Sequence, residues 1–123
     1  MHIEEFRHYC LSFKDAHEGM PFQAFFNNSR SILVFYVAGK MFCMIDIDNF
    51  KECTIKCDPQ NIVDLKEQYS SVRAPFNLSS KHWISVSFNG DLPEEQLKIL
   101  IRRSYELVIA NLPKKIREQL KVK

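Results

Sequence analysis

With only three glycines in 123 residues, the chain has little material for a phosphate cradle. It holds no P-loop, glycine-rich dinucleotide fingerprint, nucleophile elbow or zinc-protease helix. No catalytic set, cofactor or metal is therefore nominated, and the chain is expected not to be an enzyme. No apolar run approaches the ~20 residues of a membrane span, and His2, Glu4 and Glu5 stand where a signal peptide would be basic and apolar. The expectation is a cytoplasmic chain without membrane contact. A net charge of +2 implies no strong electrostatic partner by itself, so local clusters carry more weight than the total. Cys10, Cys43, Cys53 and Cys57 are expected to stay reduced in that compartment. On a strand, Cys53 and Cys57 stand ~13 Å apart, beyond the reach of one zinc ion, so the thiols are expected to behave as small apolar groups.

What is present is a globular composition, 46% hydrophobic and 26% charged, without repeats or low-complexity tracts. The length suits one domain over residues 1–123 with a core that needs no staple. Ile3, Phe6, Cys10 and Phe13 line one face of a helix over residues 2–13. Lys14 to Met20 has the composition of a loop, and Phe22 to Phe26 that of a first strand. Ser31 to Val37, Met41 to Ile47 and Glu52 to Cys57 follow as strands joined by short turns, which implies an antiparallel meander. Asp58-Pro59 opens a short helix that ends at Ser70-Ser71, and Pro75 keeps the next segment extended. Trp83 to Phe88 alternates as a half-buried strand. Asp91 and Glu94 have capping-box spacing around Pro93, and Leu97, Leu100, Ile101, Ser104, Val108 and Leu112 form the stripe of the main core helix. Asn111 is placed to end it in the left-handed conformation, and Pro113 opens a basic terminal helix over Lys114 to Lys121. The fold class is α+β: an antiparallel sheet, a four-strand meander plus a further strand, with helices packed on one face.

The set with most chemical character is Arg73, Lys81, His82 and Trp83, because cations beside an exposed aromatic face hold phosphate and stack a base. A structural tryptophan is the competing reading, since Trp is usually mostly buried. Arg102, Arg103, Lys114, Lys115, Arg117, Lys121 and Lys123 form a second basic cluster, for which a solvated face is the default. Asp46, Asp48 and Glu52 flank one turn, where a solvated loop outweighs a cation site. His17 beside Glu18 lacks the third group that catalysis needs.

Pro21-Phe22, Gly39-Lys40-Met41-Phe42, Lys56-Cys57-Asp58-Pro59, Glu67-Gln68-Tyr69, Lys81-His82-Trp83, Gly90-Asp91-Leu92-Pro93, Ser104-Tyr105 and Leu112-Pro113-Lys114-Lys115 together resemble the signature blocks of the MmcQ/YjbR family of small bacterial proteins. The resemblance runs in the family's order over nearly the whole chain. It implies a CyaY-like fold and DNA binding by a double-wing arrangement of hairpins. It also implies that the family's cationic and aromatic block falls on Lys81, His82 and Trp83, and its hairpin-tip lysine on Lys40. Ser79, Ser80 and the stretch Gln23-Ala24-Phe25-Phe26 depart from the family pattern and make the local surface less cationic.

The first functional expectation is thus a DNA-binding module, a monomer without catalytic activity, using Lys40, Arg73, Lys81, His82 and Trp83. The second is a small-molecule or peptide-binding regulatory domain in which Trp83, His82 and Tyr36 share an apolar pocket. Iron handling of the frataxin kind ranks last, because Glu4, Glu5, Asp15 and Glu18 are few and are mixed with Arg7, His8 and Lys14.

Overall fold

The computed structural model describes residues 1–21, 31–76 and 78–121. Among the described residues four helices, α1 (Ile3–Leu11), α2 (Pro59–Gln68), α3 (Glu94–Ala110) and α4 (Lys114–Lys121), accompany six strands. These are β1 (Ala16–Gly19), β2 (Ile32–Val37), β3 (Lys40–Asp46), β4 (Glu52–Lys56), β5 (Val72–Arg73) and β6 (Trp83–Ser87). The strands form one antiparallel sheet in the order β1-β2-β3-β4-β6-β5, so the α+β class and the meander hold. No helix among the described residues is long and apolar enough to cross a membrane.

The core lies between the helices and one face of the sheet. Phe6, Cys10, Phe35, Phe42, Cys43, Cys53, Ile55, Ile84, Val86 and Ile101 are all fully shielded there. Burial pushes the Cys43 thiol well up, and hydrogen bonds with Cys10 and Cys53 push it the same way. All four cysteines are free and buried, and they act as packing groups.

One local device sets the twist of the sheet. Phe35 pairs with Cys43 but Tyr36 pairs with Met41, which leaves Phe42 as an extra residue in β3. A bulge of this kind breaks the strict alternation of faces, so Phe42 and Cys43, neighbours in sequence, both enter the core. The β3–β4 ladder stops beside it, at Cys43 and Ile55. There Ser104 of α3, itself fully buried, takes over: its Oγ accepts from the Lys56 N–H at 2.8 Å and donates to the Phe42 carbonyl at 2.6 Å. Ala38 and Gly39, at φ of 51° and 76°, turn β2 into β3 in two residues, the left-handed pair that matches strand twist.

Several expectations from sequence are corrected. The helix over residues 2–13 is shorter, Ile3–Leu11. The segment read as a loop contains β1, whose residues Ala16-His17-Glu18-Gly19 have low strand propensity and are held by pairing with β2. The strand placed at Phe22 to Phe26 lies outside the described residues. Asn111 ends α3 at φ −96°, not in the left-handed region, and its side-chain amide donates to the Leu107 carbonyl at 3.0 Å.

Asp91 does not cap α3, whose N-cap is Pro93 with no side-chain bond. Its carboxylate instead accepts from the Ser70 and Ser71 N–H groups at 2.7 and 2.9 Å and from both hydroxyls. This clasps the end of α2 to the start of α3. The Ser71 hydroxyl and then the two backbone donors hold the Asp91 carboxyl well below its ordinary value of 3.8. A depressed pKa stabilises the fold above the unfolded value and is lost as pH falls through the folded one. Asp91→Asn is therefore expected to lower the urea midpoint at pH 6, and the gap from the native chain should narrow below pH 4. A gap independent of pH sinks this account. A Cβ at Gly90 would collide with the Ser71 hydroxyl, so Gly90→Ala should damage the same clasp.

Candidate nucleic-acid interface

The sheet face away from the core carries the nominated aromatic residue. Trp83 opens β6 and pairs with Lys56, while its neighbours Ile84 and Val86 point into the core, so strand alternation sets Trp83 on the open face. It is half-buried there and stands outside the core cluster. Lys81 and His82 are exposed in the turn that delivers the chain to β6. That turn is fixed by backbone bonds from the His82 and Trp83 N–H groups to the Ser79 carbonyl, and by Cys57 N–H to the His82 carbonyl at 2.8 Å.

Register adds groups that sequence reading left apart. His17 pairs with Tyr36, and their rings stack at 5.3 Å with 19° between planes. Tyr36 pairs in turn with Met41. The open face at this end therefore carries two paired rows, His17, Tyr36 and Met41 on β1, β2 and β3 and Lys56 and Trp83 on β4 and β6, separated where β3 and β4 cease to pair. Tyr36 and Trp83 stand on β2 and β6, with β3 and β4 between them. Two cavities of about 480 and 970 Å³ are lined by residues other than Tyr36, His82 and Trp83.

The remaining nominated cations differ in availability. Lys40 stands at the tip of the β2–β3 hairpin and is exposed, but it pairs with the core residue Val37 and so starts from the helix side of the sheet. Arg73 is on the open face opposite Ser85, yet its guanidinium is engaged by the Glu52 carboxylate at 2.8 Å and by Ser87 Oγ at 3.3 Å. Lys40, Lys56 and Lys81 form no ion pair among the described residues. The face is thus polarised, with unpaired ammonium groups toward Trp83 and the carboxylates Asp46, Asp48 and Glu52 toward the other end. Asp46 Oδ1 accepts from the Asp48 and Asn49 N–H groups as a turn-former, and no metal-type cluster occurs among the described residues.

Of the second basic cluster, Arg102 lies on α3 with its guanidinium 5.8 Å from the Phe13 ring centre. Glu4 and Glu18, two of the carboxylates weighed for iron, both bind Arg7. Lys56 and Tyr36 carry only the alternation of polar and apolar residues as a signal, which places each on a face but not beside its neighbours, and His17 lies in a stretch that reads as a loop.

Residues 11–107 match the YjbR family model. The chain is 27% identical over 121 residues to the uncharacterised protein YjbR of Escherichia coli K12, covering 98% of each. It is 32% identical over 91 residues to the uncharacterised protein YbdF of E. coli O157:H7, covering 73% of each. Among solved structures, Deinococcus radiodurans protein DR2400 superposes with a TM-score of 0.85 at 28% identity, covering 95% of this chain and 86% of that one. A Pseudomonas syringae protein shares the fold, with a TM-score of 0.69 at 20% identity, covering 87% of this chain and 98% of its own. With a match across most of its length, the chain belongs to the YjbR family.

Proposed function

We propose that the chain is a non-catalytic DNA-binding protein that receives its ligand on the open sheet face at the Trp83 end. The observation that carries this reading is a partly exposed tryptophan beside ammonium groups that no carboxylate neutralises among the described residues. Lysines of this kind bind phosphate by releasing condensed counterions, and an aromatic face supplies stacking. Lys56 and Lys81, with Lys40 reaching from the hairpin tip, take the phosphates, while Trp83 and His82 meet bases or sugars. Arg73 positions Glu52 and Ser87 and contributes nothing directly while that pair holds. The proposal assigns no chemical step and places the chain in the cytoplasm, where four free thiols stay reduced.

The test is an anisotropy titration of labelled DNA at several salt concentrations. Saturable binding at low salt is expected, with the Lys56→Ala/Lys81→Ala double variant weaker at every salt and its log–log slope shallower by about 1.4 to 1.8. Absence of binding at low salt, or a double variant indistinguishable from the native chain, refutes the proposal.

A further inference from the structure

We infer that the ligand is a strand of unpaired nucleotides lying across the sheet rather than a duplex, an inference that rests on the nucleic-acid reading above. In a duplex the base faces are stacked inside, and only base edges and phosphates are presented in the grooves. A ring that lies in a sheet surface therefore stacks only on a base freed from its neighbours. The open face offers such rings at two places with β3 and β4 between them, Trp83 on β6 and the stacked His17–Tyr36 pair on β1 and β2. Met41 and Lys56 lie between them, an apolar surface and a cation.

The Trp83 end of this face is poorly equipped for a duplex among the described residues. The core-forming helices pack on the opposite side, so among the described residues no helix is available there to enter a major groove about 12 Å wide. The β2–β3 tip carries Ala38, Gly39 and Lys40, one cation and no Arg, Asn or Gln to bracket a base edge. Charge supports one direction of crossing. A strand over His17, Tyr36, Lys56 and Trp83 stays clear of Asp46, Asp48 and Glu52, whereas one running along β4 would meet Glu52.

The experiment compares a 15-nucleotide thymidine strand, the corresponding uridine strand and a 15-base-pair duplex, each titrated into the full chain while the emission of its single tryptophan is followed. The thymidine strand is expected to bind at least tenfold tighter than the duplex and to quench Trp83, with a log–log salt slope of about −2 for three lysine contacts. Trp83→Ala should lose on the order of tenfold to a hundredfold in affinity, and Trp83→Phe should keep most of it. Quenching of the native tryptophan needs no variant, so the test survives if Trp83→Ala fails to fold. Tighter binding of the uridine strand upholds unpaired bases as the ligand and assigns RNA in place of DNA. A duplex bound as tightly as either strand overturns the inference and leaves DNA binding standing. No binding of any of the three overturns both.

Discussion

Phe6→Ala is expected to lower the unfolding free energy by about 3–5 kcal/mol, the usual cost of removing a fully buried phenylalanine. Phe6 is completely shielded, and its ring centre lies 6.0 Å from that of Phe35, 5.7 Å from Phe50 and 5.6 Å from Phe88. It joins α1 to β2 and to the residues that flank β4 and β6. Its removal leaves an aromatic cage with no partner inside, and the surrounding strands cannot close the gap because their register is fixed by pairing. Phe6→Leu keeps part of the volume and should cost less. Urea unfolding of the two variants checks this, and a loss below about 1 kcal/mol for Phe6→Ala contradicts a well-packed cage. Because Phe6 and Trp83 are on opposite faces of the sheet, the folded fraction of either variant should bind nucleic acid as the native chain does.

Ser104→Ala should cost about 2–4 kcal/mol, more than its size suggests. The hydroxyl is the partner of two main-chain groups at once, the Lys56 N–H and the Phe42 carbonyl, at the point where β3 and β4 cease to pair with each other. Leaving a buried donor or acceptor unsatisfied costs about 1–3 kcal/mol each, and alanine strands both. Hydrogen exchange gives the sharper readout: the Lys56 amide should lose protection in Ser104→Ala well beyond the global change in stability. Unaltered protection of that amide would show that another group satisfies it. Since Lys56 stands beside Trp83, this variant should also loosen the proposed interface, whereas Phe6→Ala should not.

These cases show what periodicity conveys and what it does not. The α3 stripe was legible because Leu97, Leu100, Ile101, Val108 and Leu112 repeat at helical spacing, and Ser104 fell on it. Its role was hidden because the groups it serves lie 48 and 62 residues away. The spacing of Asp91 and Glu94 satisfied the capping-box pattern, but local spacing says nothing about competing donors, and Ser70 and Ser71 arrive from another element. β1 left no trace because pairing with β2, not its own residues, makes it a strand. At the candidate site, Lys81, His82 and Trp83 were legible as consecutive residues. Lys56, His17 and Tyr36 became neighbours only through register, the Glu52 pairing of Arg73 needed two strands side by side, and the face of Lys40 depended on its pairing with Val37.

The margins of the sheet have a consequence for association between chains. Among the described residues one margin is the four-residue β1, with His17 and Glu18 along it, and the other is the two-residue β5, with Arg73 paired to Ser85 of β6. A foreign strand that tries to lengthen the sheet finds only a few main-chain positions at either side, interrupted by charge, too short a template to hold it. The described edges of the sheet therefore offer little purchase for stacking edge to edge into fibrils.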